Sequence, residues 1–275
     1  MNTAPDRYAV VGNPISHSKS PLIHSLFAEQ TGEAILYEPL LATSESFEGL
    51  VRDFFAGGGR GLNVTVPFKQ AAWALCDSSQ LAPNAARAKA VNTLYPAQGG
   101  GCAGANTDGI GLVRDLRDNL GIAIQGRRIL LLGAGGAVRG TLPALAEESP
   151  ASMTVCNRTA ERAVELARDF GGSLTAASLE ALRGRRFDLI VNGTSSSLQG
   201  GLPALDAAWL ADGCFCYDMV YGDTATPFVR WTLENGAAAA ADGLGMLVEQ
   251  AAESFRIWRG IKPDTAPVIQ RLREE

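Results

Sequence analysis

Short apolar runs alternate along most of the chain with stretches in which apolar residues recur every three or four positions. In the first 110 residues, the short runs predict strands at 7–12, 34–41 and 62–66. The helical spacing predicts helices at 21–30 and 46–56. The segment 90–108 differs, because a glycine cluster separates two short runs there and predicts a β-hairpin.

A second alternating series begins at residue 128. RILLL at 128–132 is as apolar as a strand that is buried on both faces. Further strands are predicted at 152–156, 187–192 and 214–220, and helices from the glycine cluster to about 148, at 160–170, 244–258 and 267–273. This alternation is typical of an α/β fold, in which helices cover a mostly parallel sheet. A length of 275 residues indicates about two domains, and the break is predicted near residue 108.

Composition narrows the class of protein. The formal net charge is −5, which gives no basic surface for nucleic acid. No apolar run reaches the roughly 18 residues of a membrane span, and the N-terminus does not resemble a signal peptide. The five cysteines have no framework spacing, and the two histidines occur without a metal-binding pattern. We therefore expect a cytoplasmic protein without a metal, a membrane partner or a nucleic-acid partner.

The sequence RILLLGAGGAVRG predicts a strand, a glycine-rich turn and the start of a helix. A first glycine permits a tight turn, and a second lets the backbone approach a pyrophosphate at the helix N-terminus. The candidate pyrophosphate-binding residues are Gly133, Ala134, Gly135, Gly136 and Ala137. The third glycine of the dinucleotide fingerprint is replaced by Val138, so a plain helix N-terminus is the alternative reading.

The end of the next strand distinguishes between the two nicotinamide dinucleotides. NAD-binding proteins place a carboxylate there to hold the ribose 2′-hydroxyl. This sequence instead has Asn157, Arg158, Thr159 and Arg162, and two guanidinium groups can bind a 2′-phosphate. The pattern favours NADP as the cofactor, with two solvated surface arginines as the alternative.

Several segments are more polar than packing alone requires. They are GNPISHSKSPLIH at 12–24, NVTVPFK at 63–69, AVNTL at 90–94, GANTDG at 104–109, DMVYGDTATPF at 218–228 and GLGMLVEQA at 243–251. Open α/β sheets bind ligands at the carboxyl ends of their strands, where some of these segments fall. Hydroxyl and amide groups with one lysine and one aspartate suit a small polyhydroxylated acid.

Taken in order, these segments resemble the shikimate dehydrogenases. The resemblance implies an α/β fold of two three-layer α/β domains flanking a cleft. Residues 1–107 with 243–275 would form the substrate-binding domain, and 108–242 a Rossmann-like NADP-binding domain. It also implies reversible reduction of 3-dehydroshikimate to shikimate with NADPH, in aromatic amino-acid biosynthesis, by a monomer or homodimer whose partner is this small-molecule substrate.

The resemblance assigns a role to each matching residue. The catalytic pair would be Lys69 and Asp108. The substrate carboxylate would be held by Ser16 and Ser18, with Tyr221 nearby. The substrate hydroxyls would be held by Thr65, Asn92, Asp108 and Gln250. The nicotinamide region of NADP would lie at Met219 and Gly243.

Two departures from the family pattern leave the substrate open. Lys89 stands where the family usually has glycine, and Ala105 replaces an acidic or bulky residue. One alternative is a paralogue with shifted preference, of which a quinate dehydrogenase is the nearest. The other is a non-catalytic NADP-binding sensor, which would be expected to have lost Lys69 or Asp108.

Overall fold

The computed structural model describes residues 4–172, 174–194, 196 and 201–274. They form two compact units, the first running to Gly111 and resuming at Val248–Glu274, and the second spanning Leu112–Leu247. The boundaries of these units lie four and five residues beyond the domain boundaries predicted from the sequence.

Eleven strands and ten α-helices are defined within the described residues. The strands are β1 Asp6–Gly12, β2 Ile35–Leu41, β3 Gly61–Val64, β4 Thr93–Pro96, β5 Cys102–Ala105, β6 Arg128–Leu132, β7 Ser152–Cys156, β8 Leu174–Ala176, β9 Phe187–Asn192, β10 Leu210–Asp218 and β11 Ala239–Asp242. The helices are α1 Ser20–Thr31, α2 Phe47–Ala56, α3 Lys69–Leu75, α4 Pro83–Ala88, α5 Asp108–Arg114, α6 Gly136–Glu147, α7 Ala160–Phe170, α8 Pro227–Glu234, α9 Leu244–Arg259 and α10 Ala266–Arg273.

The first unit is built on a five-stranded sheet in the order β2-β1-β3-β4-β5. β1 pairs in parallel with β2 and β3, whereas β3–β4 and β4–β5 are antiparallel. The β4–β5 pair confirms the hairpin predicted at 90–108, which the glycine cluster closes. This arrangement places the loops that follow β1 and β3 at the same edge of the sheet.

Helices cover both faces of this first sheet. Along β1 the side chains alternate, so that Ala9 and Val11 join the apolar cluster that contains Phe54 of α2. Tyr8 points to the other face, where its ring contacts Trp258 of α9 at 4.9 Å between centroids. This packing makes the end of the chain part of the first unit.

The second unit is built on six parallel strands in the order β8-β7-β6-β9-β10-β11. Counted within the unit, this order is 3-2-1-4-5-6, which is that of doubly wound dinucleotide-binding folds. Ile129 and Leu131 of β6 face one apolar cluster, while Leu130 and Leu132 face another. The sheet is therefore buried on both sides, as the continuous apolar run of β6 predicts. The predicted α/β class is confirmed.

Candidate active site

The serine-rich loop after β1 and the NVTVPFK segment meet because β1 and β3 are parallel neighbours whose Val11 and Val64 are paired. The backbone N–H of Asn13 donates to the carbonyl of Val66 at 3.0 Å. A Cβ on Gly12 would lie 2.3 Å from Cγ2 of Thr65. Only glycine at position 12 lets the two loops approach this closely.

Ser16 and Ser18 lie on the loop that connects β1 to α1. Ser16 is exposed, and Ser18 is half-buried. The Ser18 hydroxyl accepts a hydrogen bond from the backbone N–H of Ser20, the first residue of α1, at 3.3 Å. This contact orders the loop at the helix start. A role for either serine in carboxylate binding stays a prediction.

Lys69 and Asp108, the predicted catalytic pair, are in direct contact. Lys69 Nζ lies 2.5 Å from Asp108 Oδ2, with side chains that are 12% and 5% exposed. Lys69 is the first residue of α3, and Asp108 is the first residue of α5. Because little water reaches the pair, the charge-assisted hydrogen bond is stronger than it would be at the surface. The two side chains form a single, nearly buried ion pair.

Asn92 holds the second oxygen of Asp108. The Oδ1 atom of Asn92 accepts from the backbone N–H of Thr107 at 2.8 Å, and a backbone N–H can only donate. The amide orientation is therefore fixed, and Asn92 Nδ2 donates to Asp108 Oδ1 at 2.9 Å. The same nitrogen lies 3.2 Å from Oε1 of Gln250 on α9. Four predicted site residues are thus brought together: Lys69, Asn92, Asp108 and Gln250.

A further set of polar residues supports this cluster and was not among the predicted site residues. These residues are Asn63, Thr93, Asn106, Thr107 and Ser254, all buried. Asn106 Oδ1 accepts from the Asp108 backbone N–H at 3.0 Å and so helps to orient the start of α5. For Ser254 the sequence does contain an indication, because this residue follows the predicted site residue Gln250 by one helical turn and so lies on the same face of the helix.

The network continues from Asn63 to Tyr37 at the edge of the sheet. The Tyr37 hydroxyl donates to Asn63 Oδ1 at 2.7 Å. Burial raises the pKa of Tyr37 well above its usual value, so the hydroxyl keeps its proton and remains a donor. Asn63 Nδ2 donates to the carbonyl of Asn92 at 3.1 Å.

In the second unit, the glycine-rich turn has the geometry of a phosphate cradle. Gly133 has a φ of +103°, which disfavours any residue with a side chain. Gly135 is the N-cap of α6, and space around its Cβ position is open for at least 4 Å. The first N–H groups of α6 have no partner within the helix and can bind an anion. Ala134, Gly136 and Ala137 lie in the same turn.

Val138 is accommodated although the fingerprint has glycine at this position. Its side chain is fully buried. A Cβ on Gly193, which follows β9, would lie 2.4 Å from Val138 Cγ2. The close approach between helix and sheet is therefore made possible by a glycine on the opposite side of the contact.

The predicted 2′-phosphate site follows β7. Arg158, Thr159 and Arg162 are exposed, and Asn157 Nδ2 donates to the Thr159 carbonyl at 2.9 Å, which shapes the turn. Within the described part of the chain, neither Arg158 nor Arg162 forms a salt bridge. Both guanidinium groups can therefore bind an anion without breaking an existing pair.

The remaining predicted residues also lie in the second unit. A Cβ on Gly243 would lie 2.4 Å from the Met219 carbonyl oxygen, so Met219 and Gly243 are in contact and residue 243 must be glycine. Tyr221 is half-buried in the loop after β10. The roles predicted for these three residues stay predictions.

The residues of the second unit fit an NADP molecule. The positive φ of Gly133 and the open space at Gly135 suit a pyrophosphate, and the two unpaired arginines suit a 2′-phosphate. The strand order and this site define the class of protein: a dinucleotide-binding α/β protein with a second sheet that carries a buried lysine–aspartate pair.

Known proteins agree with this class. Residues 10–94 match the family model described as the shikimate dehydrogenase substrate binding domain. Residues 116–200 match shikimate / quinate 5-dehydrogenase, and residues 243–273 match the shikimate 5′-dehydrogenase C-terminal domain. The chain is 60% identical to shikimate dehydrogenase (NADP(+)) of Alkalilimnicola ehrlichii, covering 98% of this chain and 99% of that relative.

Solved structures are also similar to this chain over nearly its whole length. An Ael1 enzyme from Pseudomonas putida matches with a TM-score of 0.89 and 45% identity, covering 97% of this chain and 98% of that one. Shikimate 5-dehydrogenase from Thermus thermophilus, in complex with NADP(H) and shikimate, matches with a TM-score of 0.86 and 35% identity. That match covers 98% of this chain and 99% of the other. The chain belongs to the shikimate dehydrogenase family, and the predicted two-domain, Rossmann-like fold is confirmed. None of the described helices is long and apolar enough to cross a membrane.

Proposed function

We propose that this protein catalyses the reversible, NADP-dependent reduction of 3-dehydroshikimate to shikimate. The observation that carries the proposal is the buried Lys69–Asp108 pair, held by Asn92 in a unit whose sequence matches the substrate binding domain of shikimate dehydrogenase. The close relatives named as NADP-dependent shikimate dehydrogenases support the same reaction.

NADPH supplies the hydride when it is bound, and the protein supplies orientation and the proton. The turn at Gly133–Ala137 would hold the pyrophosphate through backbone N–H groups. Arg158 and Arg162, with Asn157 and Thr159, would hold the 2′-phosphate. Met219 and Gly243 would contact the nicotinamide end.

Lys69 transfers the proton to and from the reacting oxygen. In the reduction, a carbonyl becomes an alcohol, so its oxygen must gain one proton as the carbon gains a hydride. Lys69 Nζ donates that proton and takes it back in the oxidation, acting as a general acid and base. Asp108 Oδ2 keeps the lysine nitrogen in place, while Asn92 holds Asp108 Oδ1.

The other polar residues bind the substrate. Thr65, Asn92, Asp108 and Gln250 would hold its hydroxyl groups. Ser16 and Ser18 would hold its carboxylate, with Tyr221 close to the same group. We further expect the protein to act in the cytoplasm as a monomer or homodimer. The intact Lys69–Asp108 pair argues against a non-catalytic sensor.

Steady-state kinetics of the purified protein tests the proposal. Shikimate and quinate are each oxidised with NADP and with NAD, and kcat/KM is compared across the four pairs. We expect the highest kcat/KM for shikimate with NADP. A preference for quinate would indicate the paralogue. Absence of turnover with both acids, together with tight NADP binding, would indicate the sensor.

A further inference from the structure

Ser254 is the point where α9 is joined to the polar network of the first sheet. Its side chain is fully buried, and its hydroxyl donates to the carbonyl of Gln250 at 3.1 Å. Its Oγ also lies 3.0 Å from Asn63 Nδ2, 2.8 Å from Thr93 Oγ1 and 3.2 Å from Thr107 Oγ1. One hydroxyl thus connects the helix that carries Gln250 to three separate segments of the unit.

Two of these partners hold the Asn92 carboxamide. Asn92 Nδ2 donates to Thr107 Oγ1 at 2.9 Å, and Thr93 Oγ1 lies 2.9 Å from Asn92 Oδ1. Because the Ser254 proton goes to the Gln250 carbonyl, the Thr107 hydroxyl is the donor to Ser254 Oγ. Asn92 Nδ2 in turn donates to Asp108 Oδ1. Through Thr107, Ser254 is therefore two hydrogen bonds away from Asn92 and three away from Asp108, by a continuous path through buried groups.

We propose that Ser254 is a positioning residue for substrate binding. Through Thr93 and Thr107 it fixes the orientation of the Asn92 carboxamide, and through α9 it fixes Gln250 relative to Asn92. This inference rests on the proposed function, since Asn92 and Gln250 are assigned to the substrate hydroxyls. Removal of the Ser254 hydroxyl takes away the acceptor of the Thr107 hydroxyl, so that Thr107 is no longer held in the position in which it accepts from Asn92 Nδ2.

The test compares Ser254→Ala with wild type for KM and kcat in shikimate oxidation with NADP. Loss of a buried hydrogen-bond node predicts a rise in the KM for shikimate of roughly 5–30-fold, with kcat within about threefold and the KM for NADP unchanged. Val248→Ala is the matched control, because Val248 is buried on the same helix but has an apolar side chain. It should lower the melting temperature without changing the KM for shikimate.

Thr93→Val is the second variant, and it tests the role of Ser254 if Ser254→Ala does not fold. It keeps the shape of the side chain and removes one of the two hydroxyls that lie between Ser254 and Asn92, so the KM for shikimate should again rise. An unchanged KM in either folded variant, or an equal rise in Val248→Ala, overturns the inference. The kinetics of the wild-type protein separate the two proposals. If the wild type does not oxidise shikimate, both proposals are wrong. If wild-type kinetics are normal and the KM of Ser254→Ala is unchanged, only the role of Ser254 is wrong.

Discussion

At the scale of single residues, the backbone of Lys89 explains one departure from the family pattern. Lys89 follows α4 with φ +50° and ψ +40°, which is the left-handed region. Among the described residues, only Lys89 and Ser149 combine a positive φ with a side chain. The glycine usual in the family meets a backbone requirement here, which Lys89 meets only with strain.

Lys89→Gly should therefore be more stable than Lys89→Ala by about 1 kcal/mol. A left-handed residue with a Cβ costs about 1–2 kcal/mol, and the backbone entropy of glycine in the unfolded chain offsets part of this. Both variants remove the lysine side chain, so the difference between them measures the backbone alone. Urea denaturation gives the two free energies of unfolding, and equal values would contradict the backbone explanation.

Arg158 is predicted to determine the preference for NADP over NAD. Arg158→Ala should weaken NADP binding by about 1.5–3 kcal/mol, the value of a hydrogen bond to a charged group. NAD lacks the 2′-phosphate and should bind as before. Arg168→Ala is the control, since Arg168 is also exposed but lies in the last turn of the helix that follows the site. Titration calorimetry with both dinucleotides measures the effect, and equal weakening of the two would rule out the 2′-phosphate assignment.

The residues predicted from the sequence lie at the ends of elements within a polar motif: Lys69 and Asp108 begin helices, and Asn92 directly precedes β4. The buried polar residues that support them could not be predicted in the same way. Asn63 and Thr93 meet because β3 and β4 pair with that register, and no periodicity in the sequence specifies the register.

At the scale of elements, the approach of α6 to β9 depends on the pair Gly193 and Val138. Gly193→Ala should lower the free energy of unfolding by about 1–3 kcal/mol, because the new methyl group overlaps Val138 Cγ2. Val138→Ala in the same chain makes room for it, so the double variant should lose less than the sum of the two single losses. Urea denaturation of the three variants tests this, and strictly additive losses would mean that the two residues do not share the space.

His24 makes the packing of α1 on the sheet sensitive to acid. Its ring is fully buried and stacks on Tyr37 at 4.1 Å, and desolvation lowers its pKa to about 3. Between pH 6.5 and 3 the unfolded chain binds a proton that the folded protein does not, so stability falls as the pH falls.

His24→Phe should therefore remove about 2 kcal/mol of the stability loss between pH 7 and pH 5. Phe255→Leu is the control: it alters a ring packed near His24 but does not titrate, so it should leave the pH dependence unchanged. Urea denaturation of both variants at the two pH values gives the comparison. A wild-type pH dependence in His24→Phe would show that the buried histidine does not cause the loss.

The elements predicted from the sequence are the long ones with a clear period. All seven strands of the two alternating series are observed, with ends shifted by at most four residues. The edge strands β8 and β11 were missed, because β8 has three residues and three of the four residues of β11 belong to the alanine run 237–241. Short helices such as α3 and α4 were also missed, because fewer than eight residues cannot show a helical period.

At the scale of the whole molecule, the first unit is assembled from both ends of the chain. Gln30 Nε2 of α1 donates to the Asp264 carbonyl before α10 at 3.1 Å, and Trp258 Nε1 donates to the Leu94 carbonyl at 3.2 Å. The same packing brings Gln250 next to Asn92. The cluster of residues 69, 92, 108 and 250 therefore forms only when the last helices have returned to the first sheet.

The central claim is that Lys69, held by Asp108 in this unit, transfers the proton in an NADP-dependent reaction. The most direct test is kcat for shikimate oxidation with NADP in Lys69→Ala compared with wild type. We expect kcat to fall by roughly 10²–10⁴-fold, with a smaller change in KM and unchanged NADP binding, because the lysine acts most strongly in the transition state. Near-normal kcat in Lys69→Ala, or a loss confined to KM, would contradict it.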